Sequence, residues 1–205
     1  TWAGLPPLVK AAGSGRTADL SRRHRVTRSA SGLVSVTGGK LTTYRRMAVD
    51  TVDEVMDGLG RHGRSRTRRL RLHGADGYAA LTAAAAPRLG LTPEQLRHLA
   101  DRHGGDARVV AALVATDPTL GEPLVEGLPH LRAEVVHAVR HEMARTLEDV
   151  LARRIPARWL AARASADAAE DAARLMAPEL GWDAATEANE VEAYRAAVAG
   201  DLPVP

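Results

Sequence analysis

The sequence has no cysteine and no phenylalanine, and aromatic residues make up 3% of it. Without cysteine there is no disulfide framework, no thiolate metal site and no cysteine nucleophile. With so few rings, the core must be built from Ala, Leu and Val, which suits closely packed helices. There is no signal-peptide pattern and no apolar run long enough to cross a bilayer, so the reading is a cytoplasmic protein. The first residue is threonine rather than methionine, which suggests a fragment or an excised domain. What remains is a globular composition: 205 residues, 45% hydrophobic and 26% charged, enough for one ordinary domain or a small pair.

A net charge of +3 conceals a division along the chain. Residues 1–73 hold 15 Lys or Arg against 5 Asp or Glu, net +10, and the remainder holds 13 against 20, net −7. The basic end should seek anions such as phosphates, a dinucleotide, nucleic acid or an acidic membrane surface.

Two segments rich in Val and Thr, "RRHRVTRS" and "GLVSVTG", flank Ala30-Ser31-Gly32 and read as a hairpin. From Thr42 the period changes. Leu41, Tyr44, Met47, Ala48, Thr51, Val52, Val55, Met56 and Leu59 recur at three- and four-residue steps, which predicts an amphipathic helix ending at Gly58 or Gly60. The glycines and six arginines of "GRHGRSRTRRLRLHGADG" show no periodicity and read as an exposed linker. Beyond it nearly everything is expected to be helical. "DGYAALTAAAAPRLG" is followed by a helix with Thr92 as N-cap and Pro93 in its first turn, then by "GDARVVAALVATDP". A long helix is predicted over about 131–154, ended by Pro156, with two more before Gly200. The expected architecture is an α+β piece over residues 1–62, a linker over 63–74 and an all-α domain over 75–205.

Between the second strand and the first helix lies Gly38-Gly39-Lys40. Glycines here let backbone approach a ligand, and a helix start aims N–H groups carrying about half a positive charge at it. Lys40 adds a full charge. A Walker A loop is excluded, because Val34 stands where its first glycine belongs and Leu41 where a Ser or Thr must follow the lysine. The same residues also suit a tight turn with a solvated lysine, and local pattern alone does not choose between the two.

The string "VTGGKLTTYRRMAVDTVDEV", preceded by "WAGLPPLV" and "SRRHRV", resembles the end of the FAD-dependent glycerol-3-phosphate dehydrogenases. "AEVVHAVRHEMARTLEDVLARR" and "LMAPELGWDAATEANEVEAYRAAV" are similar to their helical C-terminal domain. The resemblance implies the C-terminal portion of such an enzyme, with the Gly-rich dinucleotide-binding part of the family in an N-terminal region not contained in this sequence. It implies FAD as cofactor, with Gly38, Gly39, Lys40, Leu41 and Thr42 at the flavin and Lys40 stabilising charge on flavin or substrate. It also implies Arg22 at the substrate phosphate, glycerol 3-phosphate and a quinone as partners, peripheral contact with the cytoplasmic membrane and a homodimer. Alone, the chain is expected not to turn over. In one place the chain departs from the family, where Pro6 replaces an arginine of the "GLRPL"-like segment, and proline neither binds phosphate nor donates a hydrogen bond. In another, "RRIPAR" follows the long helix.

Two rival readings arise from the residues themselves. His137 and His141 are four apart with Glu142 adjacent, but the zinc-protease order H-E-x-x-H is not met and no third ligand is apparent. The expectation is no metal. Instead Arg140, His141, Glu142, Arg145, Glu148, Asp149, Arg153 and Arg154 are read as spaced ion pairs along one helix. The arginines from Arg61 to Arg71 could mark a nucleic-acid arm, but they lack aromatic interleaving and a recognition helix, so no nucleic acid is expected. A helical binding or oligomerisation module is the alternative function.

Overall fold

The structure, a computed structural model, describes residues 23–201. The chain divides into two compact units, residues 1–70 and 71–205.

In the first unit, strands β1 (Arg25–Arg28) and β2 (Val34–Thr37) pair antiparallel, with Val26 opposite Val36 and Thr27 opposite Ser35. Ser29 closes the turn from both sides: its N–H donates to the Leu33 carbonyl, and its hydroxyl accepts from the Leu33 N–H. Gly32 sits there at φ +87°, where a β-carbon would be strained. Helix α1 (Tyr44–Gly58) follows, entered through a 3₁₀ turn at Leu41–Thr43. Polar pairs bind it to β1: a His24 ring nitrogen lies 2.8 Å from Asp50 Oδ2, and Arg28 reaches Glu54 at 3.2 Å and Asp57 at 3.3 Å. Yet no side chain of α1 is buried, and Leu41, Tyr44, Val52 and Leu59 are all more than half exposed. Its outer apolar face lines a groove of about 500 Å³ with Ala48, Val49, Val52, Met56 and Leu70. The described part of this unit thus has helix and hairpin in place but no core of its own.

The second unit has the core. Residues 83–89, expected to be α-helical, form a 3₁₀ segment ending in left-handed Gly90. The reason is Pro87, which has no N–H for a helical bond and whose ring crowds the preceding turn. Helix α2 (Pro93–His103) starts as expected: Thr92 Oγ1 accepts from Gln95 N–H, and Gln95 Oε1 accepts from Thr92 N–H. Next come α3 (Ala107–Thr116) and α4 (Arg132–His141). The single long helix expected over about 131–154 is broken. Met143 takes φ +59°, the Ala144 N–H turns back to the Ala138 carbonyl, and a π-helical segment resumes only at Asp149–Arg154. A second capping pair restarts it, since Asp149 Oδ2 accepts from the Thr146 N–H while Thr146 Oγ1 accepts from the Asp149 N–H.

Four helices complete the unit: α5 (Ala157–Leu160), α6 (Ala162–Asp167), α7 (Ala169–Leu180) and α8 (Ala184–Asp201). Helix α4 is the keel. Ala133 and Val136 join a core with Leu96, Leu99, Val110, Leu120 and Leu131, whereas Val135 and Ala138 join another with Leu147, Leu151, Ile155, Met176 and Tyr194. On α7 the fully buried Ala169, Ala172 and Ala173 let backbones approach closely, as the alanine-rich composition requires. Among the described residues Tyr194 is the one buried tyrosine or tryptophan, its hydroxyl bonded to Ser165 Oγ. The spaced-pair reading needs correction here. Arg153 does pair with Asp149, but Arg140 crosses to Glu179 on α7, and Glu148 is held by Arg158 of α5. Once the helix breaks at Met143, side chains before and after it no longer share one face.

Because both cores close within residues 71–205, a chain of these residues is expected to unfold cooperatively on its own. Coincident circular dichroism and tryptophan fluorescence melts check this; a broad, non-coincident melt would show that the unit needs residues outside it.

Candidate functional site

The Gly38-Gly39-Lys40 turn leaves β2 with both glycines left-handed, at φ +72° and +82°. At Gly39 the positive φ is the main constraint; a β-carbon there would also lie 2.5 Å from Met47 Sδ, the movable end of that side chain, and 3.2 Å from His24 Cβ. Lys40 then reverts to extended backbone and caps the helix start. Thr43 fixes this geometry, since its hydroxyl accepts from Lys40 N–H at 3.2 Å and donates to the Lys40 carbonyl at 2.9 Å. The first N–H groups of a helix have no partner within it, so this turn presents donors, a partial positive charge and the exposed Lys40 side chain on one side of the chain. Leu41, 87% exposed, and Thr42, also exposed, lie beside it. Gly38, Gly39, Lys40, Leu41 and Thr42 are consecutive in this turn. Arg22 and Pro6 lie outside the described residues.

A second constellation, which the sequence reading missed, lies in the helical unit. The third face of α4 carries Glu134, His137 and His141, and α2 turns His98, Arg102 and His103 toward it. Glu134 is 2% exposed and is the hub. Its oxygens meet His98 Nε2 at 2.9 Å, Arg102 Nε at 3.0 Å and His103 Nε2 at 3.3 Å, and accept the Leu131 N–H at 2.8 Å. The His130 Nδ1 atom stands 3.5 Å away and makes no hydrogen bond. Burial alone would raise the Glu134 carboxyl, but the imidazoles of His103, His130 and His98 outweigh it and hold the group far below the usual carboxylate range. Burial, reinforced by the charges of His103 and His141, pushes His137 down to about 4. His103, His137 and Glu142 form one group of converging donors, and His98, His130 and Glu134 form another. Of these, only His137, His141 and Glu142 were visible as a local pattern; the partners on α2 arrive through packing.

No helix among the described residues is long and apolar enough to cross a membrane.

A helical bundle with a buried polar seam thus follows, in one chain, a hairpin, a glycine-lysine turn and an exposed amphipathic helix. Residues 65–187 match the family described as the C-terminal domain of alpha-glycerophosphate oxidase, and the chain belongs to that family. Among curated relatives, it is 41% identical over 205 residues to glycerol-3-phosphate dehydrogenase 2 of Mycobacterium tuberculosis, covering 98% of this chain and 35% of the relative. It is 35% identical over 200 residues to the mitochondrial glycerol-3-phosphate dehydrogenase of Bos taurus, covering 95% of this chain and 27% of that protein. The chain thus spans about a third of the length of such relatives. Among solved structures, it resembles the glycerol-3-phosphate dehydrogenase of Bacillus halodurans complexed with FAD, at a TM-score of 0.71 and 26% identity, over 88% of this chain and 39% of that one.

Proposed function

We propose that this chain is the C-terminal portion of an FAD-dependent glycerol-3-phosphate dehydrogenase and that it contributes the Gly38-Gly39-Lys40 turn to the flavin site. The observation that carries the reading is the similarity over 98% of the chain to an enzyme of that name, together with a turn whose glycines and lysine suit an anionic group. The fit is physical. A cofactor that becomes negatively charged on reduction needs preorganised donors and a cation, and left-handed Gly38 and Gly39 leave bare backbone at that place.

Bound FAD would supply a two-electron acceptor for the hydride on the secondary alcohol carbon of glycerol 3-phosphate, whose hydroxyl proton would leave to a base or to water as the ketone of dihydroxyacetone phosphate forms. The chain's own residues supply charge and position. Lys40, with the N–H groups of Leu41 and Thr42, holds the growing negative charge; Arg22 grips the substrate phosphate, whose two oxygens suit the fork of a guanidinium. Electrons then pass to a quinone, which places the parent enzyme at the periphery of the cytoplasmic membrane, as a homodimer. The uncovered apolar face of α1 supports a larger parent domain, since Val52 and Leu59 are 56% and 66% exposed. Residues 71–205 form the helical unit and carry none of the residues assigned to the flavin or the substrate; alone, the chain does not turn over.

The test is anaerobic addition of glycerol 3-phosphate to the purified full-length parent. Bleaching of bound flavin by glycerol 3-phosphate, and not by glycerol or inorganic phosphate, is expected; no bleaching would remove the proposal. Pro6 sharpens it. If an arginine's contact with phosphate is missing there, Pro6→Arg in the parent raises kcat/KM for glycerol 3-phosphate about ten- to a hundredfold, corresponding to roughly 1.5–3 kcal/mol for a charged hydrogen bond. An unchanged or lower kcat/KM in steady-state assays would mean that another group fills the role or that the substrate differs.

A further inference from the structure

The helical unit contains a cavity of about 370 Å³ with His103, His137, His141, Glu142, Asp106 and His73 in its wall. Its construction is tight. The Gly105 N–H donates to the Gly74 carbonyl at 2.6 Å, and a β-carbon on Gly104 would lie 2.3 Å from that same oxygen, so the loop around Gly74 closes directly over the end of α2. On the opposite side, the end of α4 is held by an uncommon backbone: Met143 at φ +59° follows Glu142, and the Glu142 carbonyl accepts from Arg154 Nη2. Left-handed backbone at a bulky residue costs energy and is kept where the surroundings enforce it. Here it ends α4 at His141 and leaves the Glu142 carboxylate beside two imidazoles.

We propose that His103 Nδ1, His137 Nε2 and Glu142 Oε1 form a binding site for a divalent transition-metal ion of the zinc class. Glu142 Oε1 lies 3.9 Å from each of those nitrogens, too far for a hydrogen bond to either. Ligand atoms around a tetrahedral zinc ion with bonds of about 2.0–2.1 Å stand about 3.4 Å apart, so each nitrogen–oxygen separation must contract by about half an ångström, and the three atoms already lie within 4.8 Å of one another. Small side-chain rotations supply it. The His103 and His137 rings meet edge to face with centroids 4.9 Å apart, so the two imidazoles are already side by side.

The outer contacts favour the same reading. His103 is turned with Nε2 toward Glu134 Oε1 at 3.3 Å, so the buried carboxylate accepts the Nε2–H and leaves Nδ1 as the lone-pair donor. A carboxylate behind a ligating histidine fixes its tautomer and raises its basicity. His137 is short of partners, because its Nδ1 is buried without a hydrogen bond and its Nε2 faces only the distant Glu142. A cation between Nε2 and Oε1 would give that nitrogen and the Glu142 carboxylate a shared partner, with the proton of His137 on Nδ1. The side chains of His103 and His137 are 5% and 7% exposed, while that of Glu142 is 33% exposed, so the ion has an entry from the Glu142 side. His141, exposed and with its ring 4.9 Å from that of His137, stands at the rim, where it or a water completes the fourth position.

Two nitrogens and one carboxylate oxygen select against calcium and magnesium, which require oxygen ligands. They suit Zn²⁺, with Ni²⁺ and Cu²⁺ as chemically competent competitors. The other cluster of His98, His130 and Glu134 carries no such site, because the Glu134 oxygens are already bound by Arg102, His98, His103 and the Leu131 N–H.

The test uses the full chain, free of any histidine tag and stripped with chelator, titrated with Zn²⁺ alone in a calorimeter and with Co²⁺ alone in an absorbance cell. One equivalent of Zn²⁺ per chain is expected, with visible Co²⁺ bands of low-symmetry coordination. Glu142→Gln and His137→Gln each weaken Zn²⁺ binding at least about tenfold. His62→Gln, a change outside the cluster, leaves binding as it was. If His137→Gln fails to fold, Glu142→Gln alone decides, since its side chain reaches the cavity wall rather than the core. Absence of saturable one-to-one binding at micromolar Zn²⁺, or binding that survives Glu142→Gln undiminished, overturns the proposal. Neither result depends on whether the parent enzyme oxidises glycerol 3-phosphate.

Discussion

Replacing Glu134 by alanine is expected to destabilise the helical unit by about 3–5 kcal/mol, the cost of removing one partner from a buried charge cluster. The mechanism is the loss of compensation rather than the loss of one bond. Arg102 Nε, at 3.0 Å from Glu134, and the Nε2 atoms of His98 and His103 all turn to this one carboxylate, and the N–H that opens α4 at Leu131 donates to it as well. After truncation the guanidinium is left beside imidazoles with no anion between them. For a unit of this size the melting temperature should fall by about 10–20 °C. Glu134→Gln should lose less, because the amide oxygen still accepts from Leu131 while its NH₂ opposes the other donors. Urea unfolding of residues 71–205, with and without each substitution, separates the cases. A loss below about 1 kcal/mol for alanine would mean that solvent reaches the cluster and replaces the carboxylate.

The elements legible in sequence were those specified locally. Val26 and Val36 alternate with polar neighbours and do face each other across the hairpin, and the Thr92-Pro93 start with Gln95 three residues on is met by both of its hydrogen bonds. The break in the long helix was also written locally, in Thr146 and Asp149, the two ends of a capping pair. It was overlooked because the apolar period of Leu147, Val150 and Leu151 continues in helical step through it. Hydrophobic periodicity records which residues are buried and is nearly blind to a left-handed residue such as Met143. The 3₁₀ geometry of residues 83–89 is likewise a backbone matter, in which the alanine run argued for α-helix and Pro87 prevailed.

The polar seam was hidden for another reason. His98 and His103 on α2 and Glu134 and His137 on α4 are more than 30 residues apart in pairs, and no spacing rule joins them. One trace did exist. Glu134 and His137 occupy positions on α4 between Ala133, Val135, Val136 and Ala138, all of which are buried, so these polar groups could not have been on a solvated face. A charged residue in the middle of such a run demands a partner elsewhere in the fold. The Gly38-Gly39-Lys40 turn was the opposite case, because its glycines, its lysine and the flanking strand and helix are contiguous and the geometry follows from them.

Lys40→Met in the full-length parent is expected to lower the potential of the bound flavin by about 30–60 mV, equivalent to about 1.4–2.8 kcal/mol for a two-electron couple. The substitution keeps the length of the side chain and removes its charge. The fold should not change, because Lys40 is exposed and the contacts that set the turn are made by its backbone with Thr43. The sign follows from charge. On the proposed reading, reduction adds negative charge beside Lys40, so removing its cation destabilises the reduced form relative to the oxidised one and makes the flavin harder to reduce. Gly39→Val tests the same turn by shape: φ +82° is a left-handed backbone that a β-branched residue resists, so the substitution shifts the backbone that carries these donors. Flavin occupancy of the parent should then fall, whereas Lys40→Met should retain it. A spectroelectrochemical titration of parent and Lys40→Met, with unfolding curves as control, decides where the lysine acts. A lower potential with little change in KM places its charge at the flavin; an unchanged potential with a raised KM places it at the substrate phosphate. If neither moves, Lys40 is a solvated residue of a tight turn, and the cation for the reduced flavin must come from elsewhere in the parent.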